Sequence, residues 1–251
     1  MPNPEVEYQR FVQQAGWTKA IRDYACRQTG LKPGDRVLEV GCGEGVILAD
    51  LAMHPLVRTY GLDLRMPALQ FARQKSPRES LLTCGDACHL PYPSVFFDIT
   101  LCHFTLLWLQ YPLDGLREMA RVTRSGGWVA ALAEPDYGGR VDYPETLAPL
   151  GKLQGEALFR QGADPNLGRK LGGLLHQAGL KDIQSGVLGG QWSAPFSENE
   201  WAGEWAVLES DLKEDLTGEA LGQLRQLDWT ARQKGERTLF VPTFYGWGKK
   251  A

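Results

Sequence analysis

The sequence predicts an α/β protein built on a doubly wound, largely parallel sheet. Three observations predict it. Short apolar runs alternate with helix-like stretches through the first half, the pattern of strands joined by crossover helices. A glycine-rich turn stands where the first run gives way to the next helix. Acidic residues then close the second and third runs, at the strand ends where open α/β sheets bind ligands. The chain has 251 residues, 43% of them hydrophobic. That is enough for one large core, and it excludes a largely disordered protein.

The elements follow in order. The N-terminal stretch to about Gly30 reads as helical, with Tyr8, Phe11, Trp17, Ile21 and Tyr24 spaced to share a face. The turn Pro33-Gly34-Asp35 delivers the chain into the first strand, Arg36-Val37-Leu38-Glu39-Val40. Further strands are expected at 59–63, 81–84, 98–102 and 128–132, with crossover helices at 45–53, 67–75 and 113–123. In the last helix Leu113, Leu116, Met119, Ala120 and Val122 form the stripe, and Gly126-Gly127 supply a stop. Beyond residue 132 the pattern changes. Helices are expected at 144–161 and 167–178, the latter closed by Gly179, and a strand at 182–188. Residues 193–237 read as mostly helical, carry Trp201, Trp205 and Trp229, and are expected to cover one end of the sheet. A last strand is expected at 238–247, where Pro242 suits an edge or a bulge.

Composition narrows the function. A net charge of -3, with no long Lys/Arg run, argues against a general polyanion binder, so no nucleic-acid partner is expected. No apolar stretch approaches the roughly 20 residues of a membrane span. The start MPNPEVEYQRFVQQ lacks the features of a secretory signal, so a cytoplasmic protein is expected. The five cysteines, at 26, 42, 84, 88 and 102, are odd in number and fall mostly inside apolar runs. They read as small buried thiols near strand ends rather than a disulfide scaffold. Cys84, Cys88 and His89 invite a zinc reading, but a structural site needs four ligands and no second pair is suitably spaced, so no metal is expected.

The chemistry concentrates in Glu39-Val40-Gly41-Cys42-Gly43-Glu44-Gly45. Glycines at 41, 43 and 45 allow a tight turn and close approach of a ligand. The spacing is G-x-G-x-G rather than the G-x-G-x-x-G of dinucleotide sites, which argues against a nicotinamide-dependent dehydrogenase. Glu39 and Glu44 would repel a diphosphate and favour a cation, which points to a positively charged cofactor. Asp63, about twenty residues on, sits where a carboxylate meets the ribose of an adenosine ligand. In Gly85-Asp86-Ala87, Asp86 is placed to accept from an adenine amino group and the Ala87 backbone to donate to the ring.

These residues resemble a known family. VLEVGCGEG, GLDL, GDACHLPYPSVFFDITLCHFTLLWL and EMARVTRSGGWVAAL are similar to the class I S-adenosylmethionine-dependent methyltransferases. The resemblance is to the group that includes ubiquinone/menaquinone biosynthesis methyltransferases and small-molecule methylating enzymes. It covers residues 34–134 with four motifs in order, and extends weakly through LGRKLGGLLHQAGLKDI to the C-terminal strand. It implies a seven-stranded Rossmann-like sheet, an N-terminal helical lid (1–33) on a methyltransferase domain (34–251), and a helical cap inserted at about 193–237. It further implies that Glu39, Gly41, Cys42, Gly43 and Gly45 surround the methionine part of S-adenosyl-L-methionine. Asp63 and Leu64 would hold the ribose and one adenine face, and Asp86 and Ala87 would read the adenine edge. Cys102 and His103 stand where backbone carbonyls usually hold the cofactor's ammonium. The chain departs from many relatives where they carry a His pair, having Leu107-Trp108 there, so no role of that pair transfers.

Methyl transfer needs alignment of the reactants and exclusion of water, and needs a general base only where the acceptor must lose a proton. His103 and Tyr137 are the candidate catalytic residues, with Asp136 beside Tyr137 after the fifth strand. Trp201 and Trp205, at i and i+4, fit either an aromatic wall or plain core. Arg160 and Arg169 flank the loop GADPN; the pair is suited to bind an acidic group, but reads first as solvated surface cations. His176 reads as packed or surface. The expected protein is a monomeric or homodimeric methyltransferase acting on a small molecule. The alternatives are an RNA or protein methyltransferase on the same fold, and a non-catalytic protein that binds S-adenosylmethionine.

Overall fold

The computed structural model describes residues 4–76, 79–188 and 197–251. Residues 1–3 and 193–196, at the starts of the expected lid and cap, lie outside the described residues. Helices α1 (Pro4–Trp17) and α2 (Lys19–Thr29) lead into β1 (Arg36–Val40) and α3 (Val46–Leu51). Then come β2 (Arg58–Asp63), α4 (Met66–Lys75), β3 (Leu81–Cys84), β4 (Phe97–Cys102), α5 (Pro112–Val122) and β5 (Thr123–Pro135). The second half holds β6 (Val141–Tyr143), α6 (Ala148–Arg160), α7 (Leu171–Gln177) and β7 (Lys181–Leu188). It ends with α8 (Glu198–Leu212), α9 (Gly218–Gln233), β8 (Thr238–Phe240) and β9 (Thr243–Lys249).

Seven strands form one sheet in the order β3-β2-β1-β4-β5-β9-β7. The first five are parallel, and β9 runs antiparallel between β5 and β7. Strand periodicity sorts side chains to two faces. Val37, Ile99, Leu101, Ala130 and Leu132 pack under α2 and α3 with Ile21, Ala25, Ile47 and Leu51. Leu38, Val40, Val129 and Ala131 pack against α5 and α7 with Leu116, Met119, Leu171 and Leu175. The doubly wound architecture is therefore as the sequence predicts. A third cluster, with Leu147, Leu150, Ala157, Trp205, Leu208, Leu212 and Leu221, joins α6 to α8 and α9.

Four local expectations need correction. Gly126-Gly127 do not stop a helix; α5 ends at Val122 and these glycines lie inside β5, where its register against β4 shifts between Phe97 and Ile99. A Cβ at Gly127 would come 2.6 Å from the Asp98 carbonyl, so the irregularity fits only glycine there. The stretch 238–247 is not one strand: it breaks at Pro242, so β8 pairs with β6 in a separate two-stranded sheet and only β9 joins the main sheet. The N-terminal helix breaks at Thr18, which leaves Trp17 exposed rather than on the shared apolar face. Cys42 and Cys102 are buried thiols, but Cys84 is exposed.

Candidate active site

The carboxyl ends of β1, β2 and β4 meet beneath the N-terminal helices. After Val40 the chain turns through Gly41, Gly43 and Gly45, with φ of 74°, 49° and 84°. Side chains rarely adopt that left-handed region. Gly41 is further constrained by packing, because a Cβ there would lie 2.5 Å from the Thr105 side chain. At Gly43 a Cβ would meet only Arg65 and Phe11, each at an ordinary contact distance of 3.7 Å, so there the backbone conformation and not a clash with the core favours glycine.

Acidic groups surround the turn. Glu39 is 2% exposed, and its Oε2 is buried without a hydrogen-bond partner among the described residues. Burial, and then the Asp63 charge, push its pKa well above the usual carboxylate range. Asp63 accepts from the Gly43 N–H at 2.8 Å and from the Arg65 N–H at 2.8 Å, one on each carboxylate oxygen. Each oxygen keeps lone-pair capacity for a further donor. Glu44 is buried and paired with Arg65 at 3.4 Å, and burial lifts its pKa to about 7 despite that partner. Arg65 also reaches Glu7 of α1 at 3.2 Å, which ties the N-terminal helix to the turn. A buried, unpartnered carboxylate oxygen beside further acids suits a cationic ligand. The residues present therefore fit an adenosyl sulfonium and oppose a diphosphate.

The adenine-edge candidates lie further out. Leu64 is exposed. Asp86 accepts from the Cys88 N–H at 2.8 Å and contacts His89 Nδ1 at 3.2 Å, while Ala87 is buried. Cys84 and Cys88 direct their sulfurs to the carbonyls of Leu64 and Tyr111.

The exit of β4 is built by contacts that local sequence does not reveal. Cys102 is fully buried, and burial raises its thiol pKa well above the ordinary value. His103 Nε2 shares a 2.8 Å hydrogen bond with Thr18 Oγ1, and Arg22 donates to the same hydroxyl at 2.8 Å. Burial, then the Arg22 cation, lower the His103 pKa to about 3, so the ring is neutral at ordinary pH. Glu134, wholly buried at the end of β5, accepts the N–H groups of Thr105 (3.2 Å), Leu106 (3.0 Å) and Leu107 (3.1 Å). It thereby holds the short 3-10 turn Leu106–Trp108 over the sheet. Glu134, Thr18, Arg22 and Arg65 belong to the candidate site by these contacts, and sequence reasoning missed them. The one available signal was an acid directly following the long apolar run of β5.

Tyr137 packs partly buried against the cluster containing Phe104 and Leu107, and burial raises its pKa. Asp136, 2% exposed, forms a two-pronged pair with Arg169 at 2.5 Å. Arg160 pairs with Asp215, so both arginines flanking the GADPN loop are ion-paired rather than simply solvated. The indole N–H groups of Trp201 and Trp205 donate to Asp228 at 2.7 and 2.9 Å, and Trp205 is 1% exposed. These tryptophans are core of the α6–α8–α9 unit. His176 is exposed on α7.

A doubly wound sheet with an acidic glycine turn at its strand ends defines an adenosyl-sulfonium-binding class. Comparison with known proteins agrees. The family model described as a methyltransferase domain matches residues 38–131. A demethylmenaquinone methyltransferase of Bacillus licheniformis is 31% identical over 192 residues, covering 69% of this chain and 81% of that protein. An uncharacterized methyltransferase of Schizosaccharomyces pombe is 32% identical over 155 residues, 57% of this chain and 55% of that protein. The chain spans about half the length of several curated relatives that it matches. Among solved structures, a possible histamine N-methyltransferase of Thermotoga maritima superposes with a TM-score of 0.58 at 18% identity, covering 98% of this chain and 95% of that one. That likeness speaks to the fold. The chain belongs to the class I S-adenosylmethionine-dependent methyltransferases, whose cofactor is S-adenosylmethionine. No described helix is long and apolar enough to cross a membrane.

Proposed function

We propose that the protein transfers a methyl group from S-adenosylmethionine to a small-molecule acceptor. The observation that carries this reading is the acidic glycine turn, with the unpartnered Glu39 oxygen buried beside Asp63. When bound, the cofactor supplies a methyl group on a cationic sulfonium. Glu39, Gly41, Cys42, Gly43 and Gly45 would surround its methionine part, with the backbone of Cys102 and His103 nearby. Asp63 would accept from the ribose through its remaining lone pairs, and Leu64, Asp86 and Ala87 would receive the adenine. Helices of residues 1–33 act as a lid over domain 34–251: Glu7 and Thr18 already tie them to Arg65 and His103.

Residues of the β4 exit and Tyr137 would align the acceptor's nucleophilic atom for the methyl group that the bound cofactor would supply. The turn held by Glu134 forms one wall and keeps water out. His103, with a pKa near 3 and its ring engaged by Thr18, is a weak base and serves to hold the lid. Tyr137 faces the acceptor and donates or accepts a hydrogen bond there. A small acceptor is supported by the relative named demethylmenaquinone methyltransferase and by the chain's acidic charge. The test incubates the protein with methyl-labelled cofactor and a small-metabolite extract, then reads the products by mass spectrometry. Label in a small metabolite is the expected result; label only in added RNA or protein would refute the reading.

A further inference from the structure

We infer that the methyl acceptor carries an anionic oxygen, recognised by Arg10 of the N-terminal helix across from Tyr137. The inference rests on the methyltransferase reading and names the chemistry of its substrate.

Arg10 is partly buried in α1, and its Nε is fully enclosed without a hydrogen-bond partner among the described residues. Neighbours in sequence place it. Phe11 lies against Gly43 of the cofactor turn. Gln13 donates to the Glu200 carbonyl of α8 at 3.0 Å. Arg10 thus stands between the cofactor turn and the cap, and its charge bears on the Tyr137 hydroxyl. No hydrogen bond from that hydroxyl is made to the described residues.

The other charged groups around Tyr137 already have hydrogen-bond partners. Arg140 is held by Asp142 at 2.7 Å and by Gln154 at 2.5 Å. Asp211 accepts from Gln154 at 3.0 Å and from Gln161 at 3.2 Å. Glu7, one turn before Arg10, is engaged by Arg65. A guanidinium with an enclosed, unmatched N–H is costly unless something pairs with it. Its planar fork suits a carboxylate, a phosphate or an ionised ring oxygen, and the Tyr137 hydroxyl adds a second donor. A neutral or cationic acceptor would leave the arginine unmatched.

The test separates a small-metabolite extract on an anion exchanger at pH 8 and offers each fraction with methyl-labelled cofactor. The labelled product is expected from the retained fraction. Arg10→Met should cut labelling at limiting extract at least tenfold and recover as extract is raised, a KM effect, while Arg10→Lys should fall between. Calorimetry with S-adenosylhomocysteine should give wild-type affinity for Arg10→Met, which shows an intact cofactor site. Label arising from the unretained fraction, or equal labelling by wild type and Arg10→Met, would overturn the inference. Equal labelling together with a loss of stability would make Arg10 a packing residue only. A wild-type protein that does not bind S-adenosylhomocysteine would overturn the methyltransferase reading, and the inference with it.

Discussion

Glu134 holds the β4 exit in place, and removing its carboxylate should expose how much the site depends on it. In Glu134→Ala the N–H groups of Thr105, Leu106 and Leu107 lose their common acceptor. An unsatisfied buried donor costs roughly 1–3 kcal/mol, so three of them, with water partly replacing the carboxylate, place the loss at about 3 kcal/mol or more. The loss depends on pH. Burial raises the Glu134 pKa from 4.5 to about 7, outweighing the three N–H groups that lower it. The folded protein therefore holds this proton more tightly than the unfolded chain does. Its contribution to stability is complete below about pH 4.5 and declines as pH rises through 7. At 1.36 kcal/mol per pKa unit the decline is of order 3 kcal/mol, and Glu134→Ala does not share it. Urea unfolding at pH 5 and pH 8 measures both. The variant should be clearly less stable at pH 5, with a smaller deficit at pH 8. A deficit below about 1 kcal/mol at pH 5, or one that grows with pH, would refute the reasoning.

Two further predictions concern the glycine turn. Gly43→Val should abolish S-adenosylhomocysteine binding with only about 1–2 kcal/mol of backbone cost, because its Cβ would meet Arg65 and Phe11 at 3.7 Å rather than clash with the core. Gly41→Ala should instead lower Tm outright, since its Cβ would meet Thr105 at 2.5 Å; equal Tm for both variants would contradict the geometry. Glu44, with a pKa raised to about 7, adds to the loss of stability between pH 5 and pH 8, so Glu44→Gln should flatten that slope. An unchanged slope in urea titrations would remove Glu44 from the account.

The fold was legible where local pattern carries it. Val37, Leu38 and Val40 alternate between two faces, and Leu116, Met119 and Ala120 recur at helical spacing, so β1 and α5 could be placed from sequence. Gly41, Gly43 and Asp63 were legible because turn chemistry and strand ends are local features. Gly126-Gly127 misled because the same pair that ends a helix also allows a strand irregularity, and only the approach of the Asp98 carbonyl decides between them. The β4 exit was not legible. Glu134 reaches back 27 to 29 residues and Thr18 reaches forward 85 to His103. Such contacts depend on the assembled sheet. Arg160 and Arg169 read as solvated for the same reason: their partners Asp215 and Asp136 lie 55 and 33 residues away.

The central claim is that acidic residues at the first two strand ends receive a cationic adenosyl ligand. Calorimetric titration of S-adenosylmethionine into wild type and Asp63→Ala, with a nicotinamide dinucleotide in parallel, tests it most directly. Wild type should bind the sulfonium compound, the variant should bind it about 1–3 kcal/mol more weakly, and the dinucleotide should give no binding heat. Equal affinity in both proteins, or tight binding of the dinucleotide, would contradict it.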